Sequence, residues 1–226
     1  MNTNIVLLRK FLTMNSLIII LIGLNVFISI KGFNDRAFFD RFKFNIGAIQ
    51  QGQRFRMFSS GFLHVDWMHL FFNMYALYLF GEVVLLSFGI FGFVFIYTIS
   101  LFSGSLISYF VHKKDSYYSA VGASGAVSGV LYAAVLVYPD MRLILFPIPI
   151  PLPAYVFAVA YLFYSIYGMK KSIGNIGHSA HLGGAIGGLF CAVILNPNLV
   201  IQSPILSLVL FGSLIFLYFF RNKFRN

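Results

Sequence analysis

Seven apolar runs, joined by connections too short to fold by themselves, constrain this chain more than any other feature of its sequence. They fall at about 14–30, 67–86, 88–111, 120–138, 150–168, 179–195 and 204–220. Each is close to the roughly 20 residues a helix needs to cross a bilayer. Ser87 alone separates the second run from the third, and 112–119, 139–149, 169–178 and 196–203 join the later ones, so no room remains for a second folded domain. In hydrocarbon a chain has to satisfy its own backbone polar groups, which leaves the helix as the spanning form. The expected fold is therefore all-α, a polytopic membrane helix bundle. A content of 59% hydrophobic and 10% charged residues excludes an ordinary soluble domain.

Arg9 and Lys10 before the first run also fit a signal peptide, but Ile30-Lys31-Gly32-Phe33 is a poor cleavage site, and the run reads as a span. Residues 31–63 are polar yet rich in Phe beside Lys and Arg. That mixture suits a segment lying in the headgroup layer, a plain solvated loop being the other reading. Prolines at 147, 149, 151 and 153 should break helix and give a stiff re-entry before the next crossing. No convincing internal repeat supports a transporter of inverted halves. The net charge of +10 sits in short loops and tails, so anionic lipid headgroups and not nucleic acid are its counterpart. Cys191 is the single cysteine and forms no internal disulfide.

Polar groups within apolar spans are costly, and three clusters of them stand out. The first, 64–73, contains His64, His69 and Asn73. His69 and Asn73 are four apart and share a helix face, as a structural pair or as two hydrogen-bond donors. The second is Gly122-Ala123-Ser124-Gly125-Ala126-Val127-Ser128-Gly129. Gly125 and Gly129 have the spacing of a close helix contact, and the small residues leave space around the Ser124 hydroxyl. Ala126 stands where the nucleophile elbow of soluble hydrolases requires Gly, so that motif is excluded. The third cluster, 178–188, places Gly184 and Gly188 on nearly the same face as His181. Such a strip can lie tightly on the small-residue face around Ser124. Gly inside a helix costs about 1 kcal/mol against Ala, so six glycines over the two stretches argue for close approach.

Together the clusters propose a chemistry. Ser124 is the candidate nucleophile and His181 the base that takes its proton. His69, Asn73 and the Ser124 backbone N–H are candidate oxyanion donors. All six carboxylates (Asp35, Asp40, Asp66, Glu82, Asp115, Asp140) lie in loops or near span ends, which favours a Ser–His dyad over a triad. A metal site built from His64, His69, His178 and His181 lacks an acidic ligand close by, so no metal is expected.

These residues also resemble the rhomboid intramembrane serine proteases over nearly the whole chain. The motifs are Arg56-Met57-Phe58 before Phe62-Leu63-His64, His69-x-x-x-Asn73, Gly122-Ala123-Ser124-Gly125 and Ala180-His181-Leu182-Gly183-Gly184, in family order. The resemblance implies a six-helix core over 14–195 after a tail at 1–13, with an added helix and basic tail at 196–226. It implies cleavage of the transmembrane segments of membrane-protein substrates, with Ser124 as nucleophile, His181 as base, and His69 and Asn73 holding the oxyanion. Arg56, His64, Gly122, Gly125, Gly184 and Gly188 support the site, and no cofactor or metal is used. A catalytically inactive, rhomboid-like binding or chaperone protein is the alternative. The resemblance also implies a multi-pass protein of a cell membrane, such as a bacterial inner membrane, with its site opening on the extracytoplasmic side. Only Arg9, Lys10 and Arg142 of the 16 Lys and Arg then lie on the inner side, against the positive-inside rule. Three positions depart from the family pattern: Phe55 where a Trp is usual, Gly177 where many relatives are acidic, and Ser128 where some place an aromatic ring beside the histidine.

Overall fold

The protein is a helix bundle, seen in a computed structural model that describes residues 3–145, 148–171, 177–204 and 206–212. Its first helix, α1 (Thr3–Asn34), carries the first apolar run. Four short elements then build the segment before the second run. They are α2 (Arg36–Phe42), β1 (Phe44–Asn45), α3 (Ile46–Gln50) and α4 (Arg56–Ser59), followed by a 3-10 turn at Ser60–Phe62. Asp35 and Asn45 start α2 and α3 as side-chain caps, accepting from the N–H of Phe38 and of Ala48 at 2.9 Å. Phe55 and Phe58 keep their rings exposed.

α5 (Trp67–His112) holds both the second and the third runs. Gly89, at φ 70° and ψ −178°, breaks it into two limbs. That conformation is open essentially to Gly alone, so the chain turns two residues beyond Ser87, at the one residue there without a Cβ. β2 (Ser119–Ala120) pairs antiparallel with β1, Phe44 opposite Ala120 and Asn45 opposite Ser119. It leads into α6 (Ser124–Val137), whose 14 residues span about 21 Å. That is shorter than the run at 120–138 and shorter than the roughly 30 Å of a hydrocarbon core.

The proline-rich stretch forms a hairpin where the sequence suggests a stiff break. β3 (Arg142–Leu145) pairs antiparallel with β4 (Ile148–Pro153), Leu143 opposite Leu152. Prolines at every second position match the period of a strand. The register is irregular between Leu143 and Leu145, and Leu145 lies opposite Ile148. α7 (Ala154–Lys171) and α8 (His178–Leu195) follow, then α9 (Asn198–Gln202).

Ser16–Asn34, Trp67–His112 and His178–Leu195 are long and apolar enough to cross a membrane, and Ser124–Val137 and Ala154–Met169 are shorter apolar helices. α5, α6 and α8 enclose the core, where Leu77, Val84, Ile96, Val130, Ala134 and Leu189 are wholly buried. Of the expected seventh span, residues 206–212 are helical with Leu210 buried. The rest of that span and the basic tail lie outside the described residues.

Candidate active site

α6 and α8 meet backbone to backbone. A Cβ on Gly184 would collide with the Gly125 carbonyl, and one on Gly188 with the backbone of Gly129. A Cβ built on Gly125 would stand 3.4 Å from the Ala180 carbonyl oxygen. Ala180 precedes His181 and Gly125 follows Ser124, so this contact joins the segments that carry the two residues. Both line a cavity of about 600 Å³, together with His69, Asn73, Ser128 and Tyr161. Among the described residues no hydrogen bond joins Ser124 to His181.

The turn before Ser124 is held from the other side. Gly122 has φ 129°, a left-handed conformation, and its N–H donates to the Ser60 carbonyl at 3.0 Å. A Cβ there would lie 2.8 Å from His69 Nε2. Glycine is thus required twice, by the backbone and by the imidazole. The same position lies 3.5 Å from Ser124 Oγ, so the His69 ring and the hydroxyl flank Gly122 together. Asp66 caps α5 by accepting from the His69 N–H at 2.7 Å, which fixes the first turn carrying that ring. Asn73 Nδ2 donates to the His69 carbonyl at 2.9 Å, leaving its second hydrogen available to the cavity. His69 Nδ1 is buried with no partner among the described residues.

His64 works as a strut. The Ser29 hydroxyl of α1 donates to the Phe62 carbonyl at 3.0 Å, so its oxygen accepts from His64 Nδ1 at 2.8 Å. His64 Nε2 is then free to accept the Ala123 N–H, at 3.4 Å. One imidazole thus connects α1 to the residue before Ser124, and its ring meets His69 edge to face at 5.0 Å. Arg56 is buried, and its hydrogen bonds among the described residues hold the first loop: Nη1 donates to the carbonyls of Asp40 at 2.7 Å and Lys43 at 3.0 Å, and Nε to Gln53 Oε1 at 2.8 Å. The Phe55 ring stands beside that guanidinium, at 5.7 Å. Gly177 caps α8 through its carbonyl, which accepts the N–H of Ala180 at 2.9 Å and of His181 at 3.1 Å.

With Ser128 lacking a ring, the His181 imidazole is supported from α7. Tyr161 lies parallel to it, with centroids 5.5 Å apart and planes 30° apart, and its hydroxyl is 2.9 Å from His181 Nδ1. Phe157 stacks on Tyr161 at 5.8 Å, and Tyr164 meets His178 at 5.2 Å. Tyr161 is absent from the residues that sequence reasoning selects. The signal was the spacing of Phe157, Tyr161 and Tyr164, which puts three rings on one face of a helix. Ser29 carries no comparable signal, being one hydroxyl in an apolar run.

Among the described residues no group of three His, Cys, Asp or Glu is placed to hold a metal ion. Comparison with known proteins places this helical bundle in a family. The Rhomboid domain family matches residues 51–198, and the chain belongs to that family. It is 33% identical over 133 residues to "Rhomboid protein 1, mitochondrial" of Saccharomyces cerevisiae, covering 58% of this chain and 38% of that protein. It is 34% identical over 148 residues to "Rhomboid protease GluP" of Bacillus subtilis, covering 66% of this chain and 27% of that one. "RHOMBOID-like protein 12, mitochondrial" of Arabidopsis thaliana is 26% identical over 183 residues, covering 74% and 54%. The aligned stretch thus spans between about a quarter and about half of these relatives' lengths.

Proposed function

We propose that this chain is an intramembrane serine endopeptidase that cleaves the transmembrane segments of membrane proteins with a Ser124–His181 dyad. One observation carries the reading: the Gly125–Ala180 backbone contact, which sets the hydroxyl and the imidazole on the wall of one cavity. His181 Nε2 takes the proton as Ser124 Oγ attacks the scissile carbonyl carbon. The same imidazole then returns that proton to the leaving amine as the C–N bond breaks. Water, with its proton taken by Nε2, releases the acyl group and restores Ser124.

The negative oxygen formed on attack needs donors already in place. Ser124 opens α6, so its N–H has no partner within the helix. Asn73 and His69 line the same cavity as Ser124. The bilayer is where such substrates lie, and the core is the unit at 14–195. Of the relatives above, the Bacillus subtilis protein bears the name of a protease, and this supports the reading. The proposed location is a cell membrane, the bacterial inner membrane, with the cavity open on the extracytoplasmic side.

The test is to purify the protein in detergent with a panel of single-span substrates. Ser124→Ala and His181→Ala should each lower specific cleavage by at least ~10⁴-fold, with a chelator changing nothing. Cleavage that survives Ser124→Ala and stops with chelator overturns the dyad. A folded wild-type protein that binds single-span segments and cuts none is instead a binding protein.

A further inference from the structure

We infer that Tyr161 is a positioning residue that fixes the plane of the His181 imidazole and, by accepting from Nδ1–H, its tautomer. The inference rests on the reading of His181 as the base. To take a proton at Nε2, the neutral ring has to carry its own hydrogen on Nδ1. Nδ1 is the atom Tyr161 engages, at 2.9 Å. A phenol can donate or accept, so this contact alone does not choose between the tautomers.

The base role makes the choice: Nε2 has to be free of hydrogen to take the Ser124 proton, so the Tyr161 oxygen accepts from Nδ1–H. Ser128, buried one turn after Ser124 on α6, lines the same cavity as Tyr161. Had the phenol donated to Nδ1 instead, Nε2 would carry the hydrogen and could accept nothing from Ser124. The stack of Phe157 on Tyr161 and Tyr161 on His181 fixes the ring plane independently of the hydrogen bond. Residue 128 thus suits a small hydroxyl, since the ring that packs on His181 comes from α7.

Imidazole ¹⁵N NMR of the full chain in detergent micelles, selectively labelled at histidine and in the Ser124→Ala background, reads the tautomer directly. His181→Gln identifies the signals. Ser124→Ala alone should show His181 with hydrogen on Nδ1. Adding Tyr161→Phe, which keeps the stacked ring and loses only the oxygen, should convert most of the signal to the Nε2–H form or to exchange between the two. In the active protein, Tyr161→Phe should lower kcat about tenfold with KM unchanged. A His181 tautomer that Tyr161→Phe leaves unaltered overturns the inference, whatever the rate. A tautomer change in a protein that cleaves no substrate supports the positioning role and counts only against the protease reading.

Discussion

α8 makes two kinds of contact, and the two halves of the candidate site sit one on each. Towards α6 it presents backbone: Gly184 and Gly188 lie on Gly125 and Gly129 with no space for a Cβ. Towards α7 it presents rings, with His181 on Tyr161 and His178 edge to face with Tyr164. A backbone contact has no side-chain torsion with which to adjust, whereas a ring contact has two. Ser124 therefore has a fixed seat, while the imidazole of His181 is placed by a neighbour that can turn. Any shift of α7 carries Tyr161 with it, and the base is the part of the site that feels it.

The same substitution at the two interfaces tests this difference. Gly184→Ala puts a methyl into the Gly125 backbone, and the helices have to part. The expected cost is about 3 kcal/mol, at the upper end for overpacking, read as a lowered thermal midpoint in detergent. Second in size is Asn73→Ala, which removes a candidate oxyanion donor on the fixed side: kcat should fall about 10²-fold with an unchanged melting temperature. An unchanged rate would take Asn73 out of that role and confine it to its bond with the His69 carbonyl. Third is Tyr132→Phe. The Tyr132 hydroxyl of α6 donates to the Ala158 carbonyl of α7 at 2.8 Å, and it joins the fixed half to the adjustable one. Its loss should cost about 1 kcal/mol. Fourth, Gly168→Ala on α7 puts a methyl against the buried His178 imidazole, a side chain with torsions and not a backbone, and Ala is better than Gly in a helix by about 1 kcal/mol. The net cost should be smaller than that of Gly184→Ala, by about 1 kcal/mol or more. A Gly168→Ala protein that melts lower than Gly184→Ala would reverse the assignment of rigid and adjustable sides.

The fixed side was the legible one. Small residues at helical spacing report a close contact because nothing else explains so many glycines in apolar helices, and Gly125, Gly184 and Gly188 lie where that argument places them. Polar residues in a span are rare enough to mark a site, and Ser124, His69, Asn73 and His181 all line one cavity. Tyr161 escaped notice because aromatic rings are common throughout this chain, with 28 Phe and 13 Tyr. Its role depends on which helix face meets α8, which is a matter of packing. The break at Gly89 escaped for a similar reason: a glycine in an apolar run reads equally as packing or as a turn until its φ is known. The hairpin at 142–153 was obscured because proline counts against strands, although prolines at every second residue leave one edge of a strand intact.

A charged contact in the first loop should rank below both helix interfaces. Asp40 accepts from Lys43 Nζ at 2.7 Å and from Arg36 Nε at 3.0 Å, with 43% of its side chain exposed. The hydrogen bond from Lys43, with the charges of Lys43 and Arg36, holds its carboxyl below the usual value. A carboxyl lowered in the folded state stabilises above its unfolded value of about 3.9 and loses that contribution as pH falls through the folded value. Exposure and salt reduce the effect to a few tenths of a kcal/mol. Asp40→Asn should therefore melt slightly below wild type at pH 7, and the two curves should draw together on acidification below pH ~4, where the wild-type carboxylate is also protonated. Arg56 bonds the Asp40 carbonyl and not its carboxylate, so the loop keeps its course in the variant and kcat at pH 7 should not change. A fall in kcat would mean that the loop ion pair reaches the Ser124 turn through β1 and β2, and that the turn before the nucleophile is adjustable from this side.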